Sequence, residues 1–163
     1  MNAFDLIEKI RDISPTAANM VTNQLIPHLI PLSRGLDVRV QEISDTRCVL
    51  TMPLIKRTRN HLGSMYFGAQ MTLADLTVGL VLFRRFPPGP FGGVIKRVEA
   101  DFRIKAKGLI RCVCELPPEV IDHLEQVRHS DEGKAEAWVP LTLVDPQDQV
   151  VTELRFLVAV KRF

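Results

Sequence analysis

Three cysteines, one tryptophan and one tyrosine are few for a chain of 163 residues, and the scarcity already narrows the field. Cys48, Cys112 and Cys114 are odd in number, and no second cysteine pair completes a zinc-type set, so neither a disulfide framework nor a metal site is expected. Charge of one sign is also lacking. Twenty-one Lys and Arg against 19 Asp and Glu leave a net charge of +2, far from the basic excess of a general nucleic-acid binder, so any positive site must be local. The longest apolar stretch, near 76–83, falls well short of the ~20 residues that cross a bilayer. The opening MNAFDLIEKIRDIS carries Asp5 and Glu8 inside its apolar stretch and does not read as a secretory signal. A cytoplasmic protein with reduced thiols is expected, with neither nucleic acid nor membrane as a partner.

What is present is the balance of an ordinary folded domain, 46% apolar and 25% charged. At this length folding can bury roughly 70% of the surface of the unfolded chain, enough for a core without staples. No internal repeat, low-complexity tract or dividing linker is visible, so 1–163 is read as one domain. A helical lead-in covers 1–34 and the core 35–163.

Phe4, Ile7, Ile10 and Ile13 fall at helical spacing, and Ser14-Pro15 reads as an N-cap with Pro in the first turn of a second helix. From Leu36 the period changes to two: Leu36, Val38 and Val40, then Cys48, Leu50, Met52 and Leu54, predict two strands. The segment 67–85 is apolar or small on every side, which predicts a helix buried all round, ended by Pro87, Pro88, Gly89 and Pro90. Residues 94–107 predict a strand whose packing face holds Val94, Val98, Ala100, Phe102, Ile104 and Ala106, with Arg97, Glu99, Asp101, Arg103, Lys105 and Lys107 facing water. Ile110, Cys112, Cys114 and Leu116 predict a fourth strand, and Pro117-Pro118 opens a short helix. Two last strands, 134–145 and 149–162, flank the turn Asp145-Pro146-Gln147-Asp148. Six mostly antiparallel strands and one wholly apolar helix imply an α+β architecture, a curved sheet wrapped around that helix.

Asp75 stands about two turns inside the apolar helix. A carboxylate deprived of water without a cationic partner has a raised pKa and can serve as a general base near neutral pH. Equally open from the helix alone is a structural Asp bonded to Thr72 or to a backbone amide, or one facing solvent at a helix edge. The preceding loop, in NHLGSMYFGAQMTLAD, enters the helix at Phe67-Gly68, where main-chain N–H groups have no intrahelical acceptor. A carbonyl oxygen placed there would meet both the helix dipole and free amides, the setting an oxyanion needs. Gly68 would let a ligand approach the backbone, or would serve close helix–sheet packing.

Asn60, Gly63, Phe67-Gly68 and Leu73-Ala74-Asp75, following Arg57-Thr58-Arg59, form the most specific stretch. Over most of 36–163 the chain resembles the hotdog-fold acyl-CoA thioesterases of the PaaI type, and more closely the branch called DUF4442. PaaI-type enzymes have an Asn, then a His-Gly-Gly turn, then an Asp seven positions after the second glycine. Asn60, Gly68 and Asp75 match those spacings, whereas Tyr66 replaces the His and Phe67 the first Gly. No hydroxyl stands near Gly92-Gly93, where some members carry a Ser or Thr.

The resemblance implies a hotdog fold and a thioesterase that hydrolyses a small or medium acyl-CoA. A Phe67 or Gly68 amide would be the oxyanion donor, Asp75 would activate water or attack, and Asn60 would orient the nucleophile or the carbonyl, with Thr72 assisting. It also implies a homodimer, or a dimer of dimers as a homotetramer, with sites between subunits. No cofactor is implied, coenzyme A being part of the substrate. Tyr66, Thr72, His61, Arg57 and Arg59 are the substrate-binding candidates, with Lys56, Arg84 and Arg85, and more weakly Lys105 and Lys107, as further cations for phosphates. His28, His61, His123 and His129 have no metal-ligand spacing, and Cys112 and Cys114 read as core. Trp138 is read as covering a dimer surface or lining a pocket. A non-catalytic acyl-CoA binding or sensing module is the alternative function, and a hotdog hydratase would need an active-site His that is missing near the helix start.

Overall fold

The computed structural model describes residues 3–163, with side chains from residue 6 onward. The helix α1, Ala3–Ile13, buries Ile7 and leaves Ile13 in solvent, while Phe4 has its side chain outside the described residues. Ser14 then starts α2, Pro15–Leu29: the Ala17 amide donates to its hydroxyl at 3.3 Å, and Pro15 sits in the first turn. Arg84 holds α1 against the rest by ion pairs with Glu8 and with Asp45, the latter at 2.6 Å.

The strands are β1, Arg39–Ile43, and β2, Arg47–Pro53, then, after the helix α3, Phe67–Arg85, β3, Phe91–Phe102, and β4, Leu109–Glu115. The short helix α4, Pro118–Glu125, leads to β5, Lys134–Val144, and β6, Val150–Arg162. They form one antiparallel sheet in the order β1-β2-β4-β5-β6-β3, so β1 and β3 are its edges. Period-two apolar residues, Leu50 and Met52 on β2, Ile110, Cys112 and Cys114 on β4, bury their side chains against α3. Leu73, Leu76 and Val81 on α3 are fully buried, each contributing about 1.5–3 kcal/mol. The architecture is the α+β hotdog: a curved sheet around a central helix. Among the described residues no helix is long and apolar enough to cross a membrane.

The edge strand β3 departs from its sequence reading twice. It ends at Phe102 rather than 107, and a bulge at Lys96 inverts its parity, since Ile95 pairs with Val158 but Arg97 with Leu157. Ahead of the bulge Gly93 and Ile95 stand opposite the buried Val160 and Val158, so Val94 lies on the other face and is 65% exposed. Beyond it Val98, Ala100 and Phe102 stand opposite the buried Phe156, Leu154 and Thr152, on the face expected. Yet this half of β3 is uncovered, with Val98 43% and Phe102 51% exposed, as is Ile104 just past it. An outer strand has only one sheet neighbour, and alternation alone does not reveal which strand is outermost.

Candidate active site

The loop before α3 is tied down by its own polar groups. Buried Thr58 donates its hydroxyl to the Pro53 carbonyl at 2.8 Å and accepts from the Ile55 amide at 2.9 Å. The Asn60 carboxamide oxygen accepts from the amides of Leu62 and Ser64 at 2.9 and 3.1 Å, and its nitrogen donates to the Ser64 hydroxyl at 3.0 Å. Gly63, with φ +74°, makes the turn that closes this ring of bonds. Asn60 thus shapes the loop with its own side chain. The Tyr66 amide donates to the Thr58 carbonyl at 2.7 Å and the Met65 amide to Ala106 at 2.9 Å, fixing where α3 begins.

At that point the first free donors occur. The amides of Ala69 and Gln70 both reach the Tyr66 carbonyl, at 3.0 and 3.1 Å, whereas those of Phe67 and Gly68 have no acceptor among the described residues. The Thr72 hydroxyl donates back to the Gly68 carbonyl at 2.9 Å, so its proton is committed to the helix. Gly68 is contacted by the Tyr66 ring: a Cβ built there would lie 2.8 Å from Tyr66 Cε1. Tyr66, Phe67 and Phe102 form a chain of ring contacts at 5.4 and 6.4 Å, all three exposed.

Gln70 is the residue that sequence reasoning passed over. It is buried, donates to the Met65 carbonyl at 3.2 Å and accepts from the Thr152 hydroxyl at 2.6 Å, pinning the first turn of α3 to β6. The available signal was its amide, one of the few polar side chains, with Thr72, Asp75 and Thr77, in a largely apolar helix.

Asp75 lies at the edge of a slot of about 290 Å³ between α3 and the β3–β6 pair, and is the only polar side chain in its lining among the described residues. It makes no hydrogen bond or ion pair among the described residues. Its carboxylate reaches solvent in the single chain, but the apolar walls strip part of its hydration and raise its pKa above the ordinary carboxylate value. Of the structural alternatives, an Asp bonded to Thr72 or to a backbone amide is not realised, whereas one facing solvent at a helix edge is what the single chain shows. Asp75 follows Phe67 by eight residues, or about 12 Å along the helix at 1.5 Å per residue. One carbonyl cannot touch both the Phe67 amide and Asp75 of the same chain. Phe67 instead lines a separate cavity with Asn60, Ser64, Phe102 and Lys105.

The candidate cations divide. Arg84 is held by Glu8 and Asp45, and Arg85 by Glu125 at 2.7 Å, both at the far end of α3, so neither is free for a phosphate near the loop. Lys56, Arg57, Arg59, Lys105 and Lys107 carry no ion pair or hydrogen bond from their side chains among the described residues. They gather around the start of α3, because Leu54 bonds Gly108 and Met65 bonds Ala106 through the main chain. His61 is exposed in the same loop. Trp138 is half-buried, with the Arg155 guanidinium 5.1 Å from its ring centre. Cys48, Cys112 and Cys114 are buried free thiols; burial pushes Cys112 up to about 12. Among the described residues no three His, Cys, Asp or Glu side chains converge as a metal site.

Residues 19–160 match the family described as domain of unknown function DUF4442. The chain belongs to the DUF4442 family. Its fold is similar to that of a Pseudomonas aeruginosa protein of unknown function described as a probable thioesterase, 32% identical, with a TM-score of 0.79 over 88% of this chain and 95% of that one. It is similar in fold to a second Pseudomonas aeruginosa protein, a thioesterase solved as a mutant, at 16% identity and a TM-score of 0.65 over 81% and 86% of the two chains. The PaaI protein of the Escherichia coli phenylacetic acid degradation operon follows at 14% identity and a TM-score of 0.62, over 87% and 91%. No curated protein matches. This DUF4442 chain thus shares the hotdog fold of thioesterases, with Tyr66 and Phe67 ahead of Gly68 at its helix start.

Proposed function

We propose that this protein is a thioester hydrolase acting on acyl-CoA, and that its site is built between two copies of the chain. What carries the reading is an unpartnered carboxylate, Asp75, at the mouth of an otherwise apolar slot. The free amides of Phe67 and Gly68 supply the complementary half. Because about 12 Å of helix separates the two within a chain, the donor comes from one subunit and the acid from the other. The bare half of β3, with Val98 and Phe102 uncovered on an edge strand, is the surface through which two sheets join. A homodimer, or a pair of such dimers, follows.

In the reaction, Asp75 takes a proton from a water molecule whose oxygen attacks the thioester carbonyl carbon. Negative charge moves to the carbonyl oxygen, where the Phe67 or Gly68 amide donates to it. The C–S bond then breaks, the carboxylic acid product forms, and the departing thiolate recovers the proton from Asp75. Asn60 acts by holding the loop that presents these amides. Arg57 and Arg59, with Lys56, Lys105 and Lys107, meet the phosphates of coenzyme A, which is part of the substrate; no further cofactor is needed. Tyr66 and His61 border the incoming thioester.

A second reading, an acyl-CoA binding module without turnover, is favoured by the Tyr66 ring folded against Gly68, where it covers part of the amide region. Thiol release from a series of acyl-CoAs separates the two. Turnover lost in Asp75→Asn supports the hydrolase. Tight binding with no thiol released for any acyl group rejects it in favour of the binder.

A further inference from the structure

The slot behind Asp75 carries information about the acyl group itself. Its helical wall runs from Asp75 to Phe83 of α3, with Phe86 just past the helix end, and its sheet wall includes Gly93 and Ile95 of β3 with Val158 and Val160 of β6. At ~1.5 Å per residue the stretch from Asp75 to Phe83 is about 12 Å long, which an extended chain of roughly ten carbons would span. The slot is narrow for its length: about 290 Å³ is at the low end of small-molecule cavities. A short or compact acyl group would leave most of this apolar length without contacts, and those lost contacts are what an unfilled cavity costs. Among the described residues no polar side chain beyond Asp75 lines the slot to orient a hydroxylated or charged acyl chain.

Gly79 is placed to gauge what enters. It follows Asp75 by four residues, one turn along the same face, and lines the slot. A Cβ added at Gly79 meets no atom within 4 Å, and on the lining of this slot the open space it would occupy belongs to the slot. Glycine costs roughly 0.5–1 kcal/mol relative to Ala in a helix interior, and here no tight packing or positive φ requires it.

We propose that the slot takes an unbranched, saturated acyl chain of medium length, carbonyl beside Asp75 and methyl end toward Phe86, and that the missing side chain at Gly79 sets which chains pass. The proposal rests on the thioester-hydrolase reading only for the position of the carbonyl. Its test therefore has two arms: kcat/KM across butyryl-, octanoyl-, decanoyl-, hexadecanoyl- and phenylacetyl-CoA, and calorimetric binding of decanol, an uncharged chain that the Asp75 carboxylate does not repel. Both use the full chain and its Gly79→Val and Gly79→Ala variants, with thermal melting to establish that each folds.

The expected result is a wild-type maximum at octanoyl or decanoyl. The ratio of decanoyl to butyryl kcat/KM falls at least tenfold in Gly79→Val and by less in Gly79→Ala. Decanol affinity falls by a similar factor in Gly79→Val. A phenylacetyl, butyryl or hexadecanoyl optimum, or an unchanged chain-length ratio in a folded Gly79→Val, overturns the assignment while leaving the hydrolase standing. If no acyl-CoA is hydrolysed, the hydrolase reading fails. The slot is then judged by decanol alone: binding weakened at least tenfold in Gly79→Val upholds it, and binding that is absent or indifferent to the substitution rejects it.

Discussion

Exchanging the Asp75 carboxylate for a carboxamide of the same shape, Asp75→Asn, separates chemistry from stability because the two effects have opposite signs. Asp75 makes no hydrogen bond or ion pair among the described residues, so Asn leaves no group stranded and creates no cavity. The general base is removed, and such a base contributes roughly 10²–10⁴ in rate, or about 3–5 kcal/mol of barrier. For stability, the loss of hydration raises the folded-state pKa of Asp75 above that of the unfolded chain. Below the unfolded value the acid is neutral in both states and no penalty exists. As pH climbs through the raised folded value, the folded state must charge a poorly hydrated group, and wild-type stability declines. Asp75→Asn is therefore expected to melt higher than wild type at pH 7, with the difference disappearing near pH 3, while thiol release falls at least a hundredfold. The acid limb of the wild-type kcat/KM profile is expected above the ordinary Asp range. Retention of more than a tenth of wild-type activity, or a melting temperature lowered at pH 7, would refute the placement of Asp75 as an unpartnered base.

Gln70→Leu strands the Met65 carbonyl and the Thr152 hydroxyl in the core at about 1–3 kcal/mol per group, or roughly 2–4 °C of melting temperature per kcal/mol, read by calorimetry. No change in melting would show that these bonds are replaced at no cost. Val98→Glu places a charge on the bare half of β3 and is expected to halve the mass seen by light scattering at micromolar concentration, with turnover lost alongside. An active oligomer of unchanged mass would move the interface elsewhere. The pair Arg57→Ala and Arg59→Ala is expected to raise KM for acyl-CoA by about tenfold or more, the worth of one charge-assisted bond. The same pair should leave kcat on acyl-cysteamine thioesters, which lack the phosphates, close to wild type.

Most of the fold was legible because burial in this chain follows local periods. Ser14 caps as its spacing demands, α3 runs over the predicted 67–85, and Ile110, Cys112 and Cys114 turn inward on the predicted fourth strand. Legibility failed where one residue changes the count: the bulge at Lys96 puts Val94 on the opposite face, and no rule of alternation anticipates an inserted residue. It failed again where burial depends on sheet order, which leaves Val98 and Phe102 outside. For the site, Asp75 stood out because it was alone among apolar neighbours, and Phe67 and Gly68 because every helix start has idle donors. The role of Gln70 in tying α3 to β6 was hidden because its partner Thr152 lies 82 positions away. Arg84 and Arg85 resembled free cations for the same reason, their acids being distant in sequence.

The open border of β3 also bears on the life of the newly made chain. A copy that has folded before meeting another offers a row of unsatisfied peptide groups beside Val98, Ala100 and Phe102, a template for adhesion to any extended segment nearby. On the reverse side Glu99 and Arg103 are clasped by Arg155 and Glu153, which holds charge along the strand and makes indiscriminate stacking unfavourable. If two copies join through this border, dilution prolongs its exposure, and the fraction lost to proteolysis or to adhesion on unrelated chains should fall as rising expression shortens the wait for a second copy.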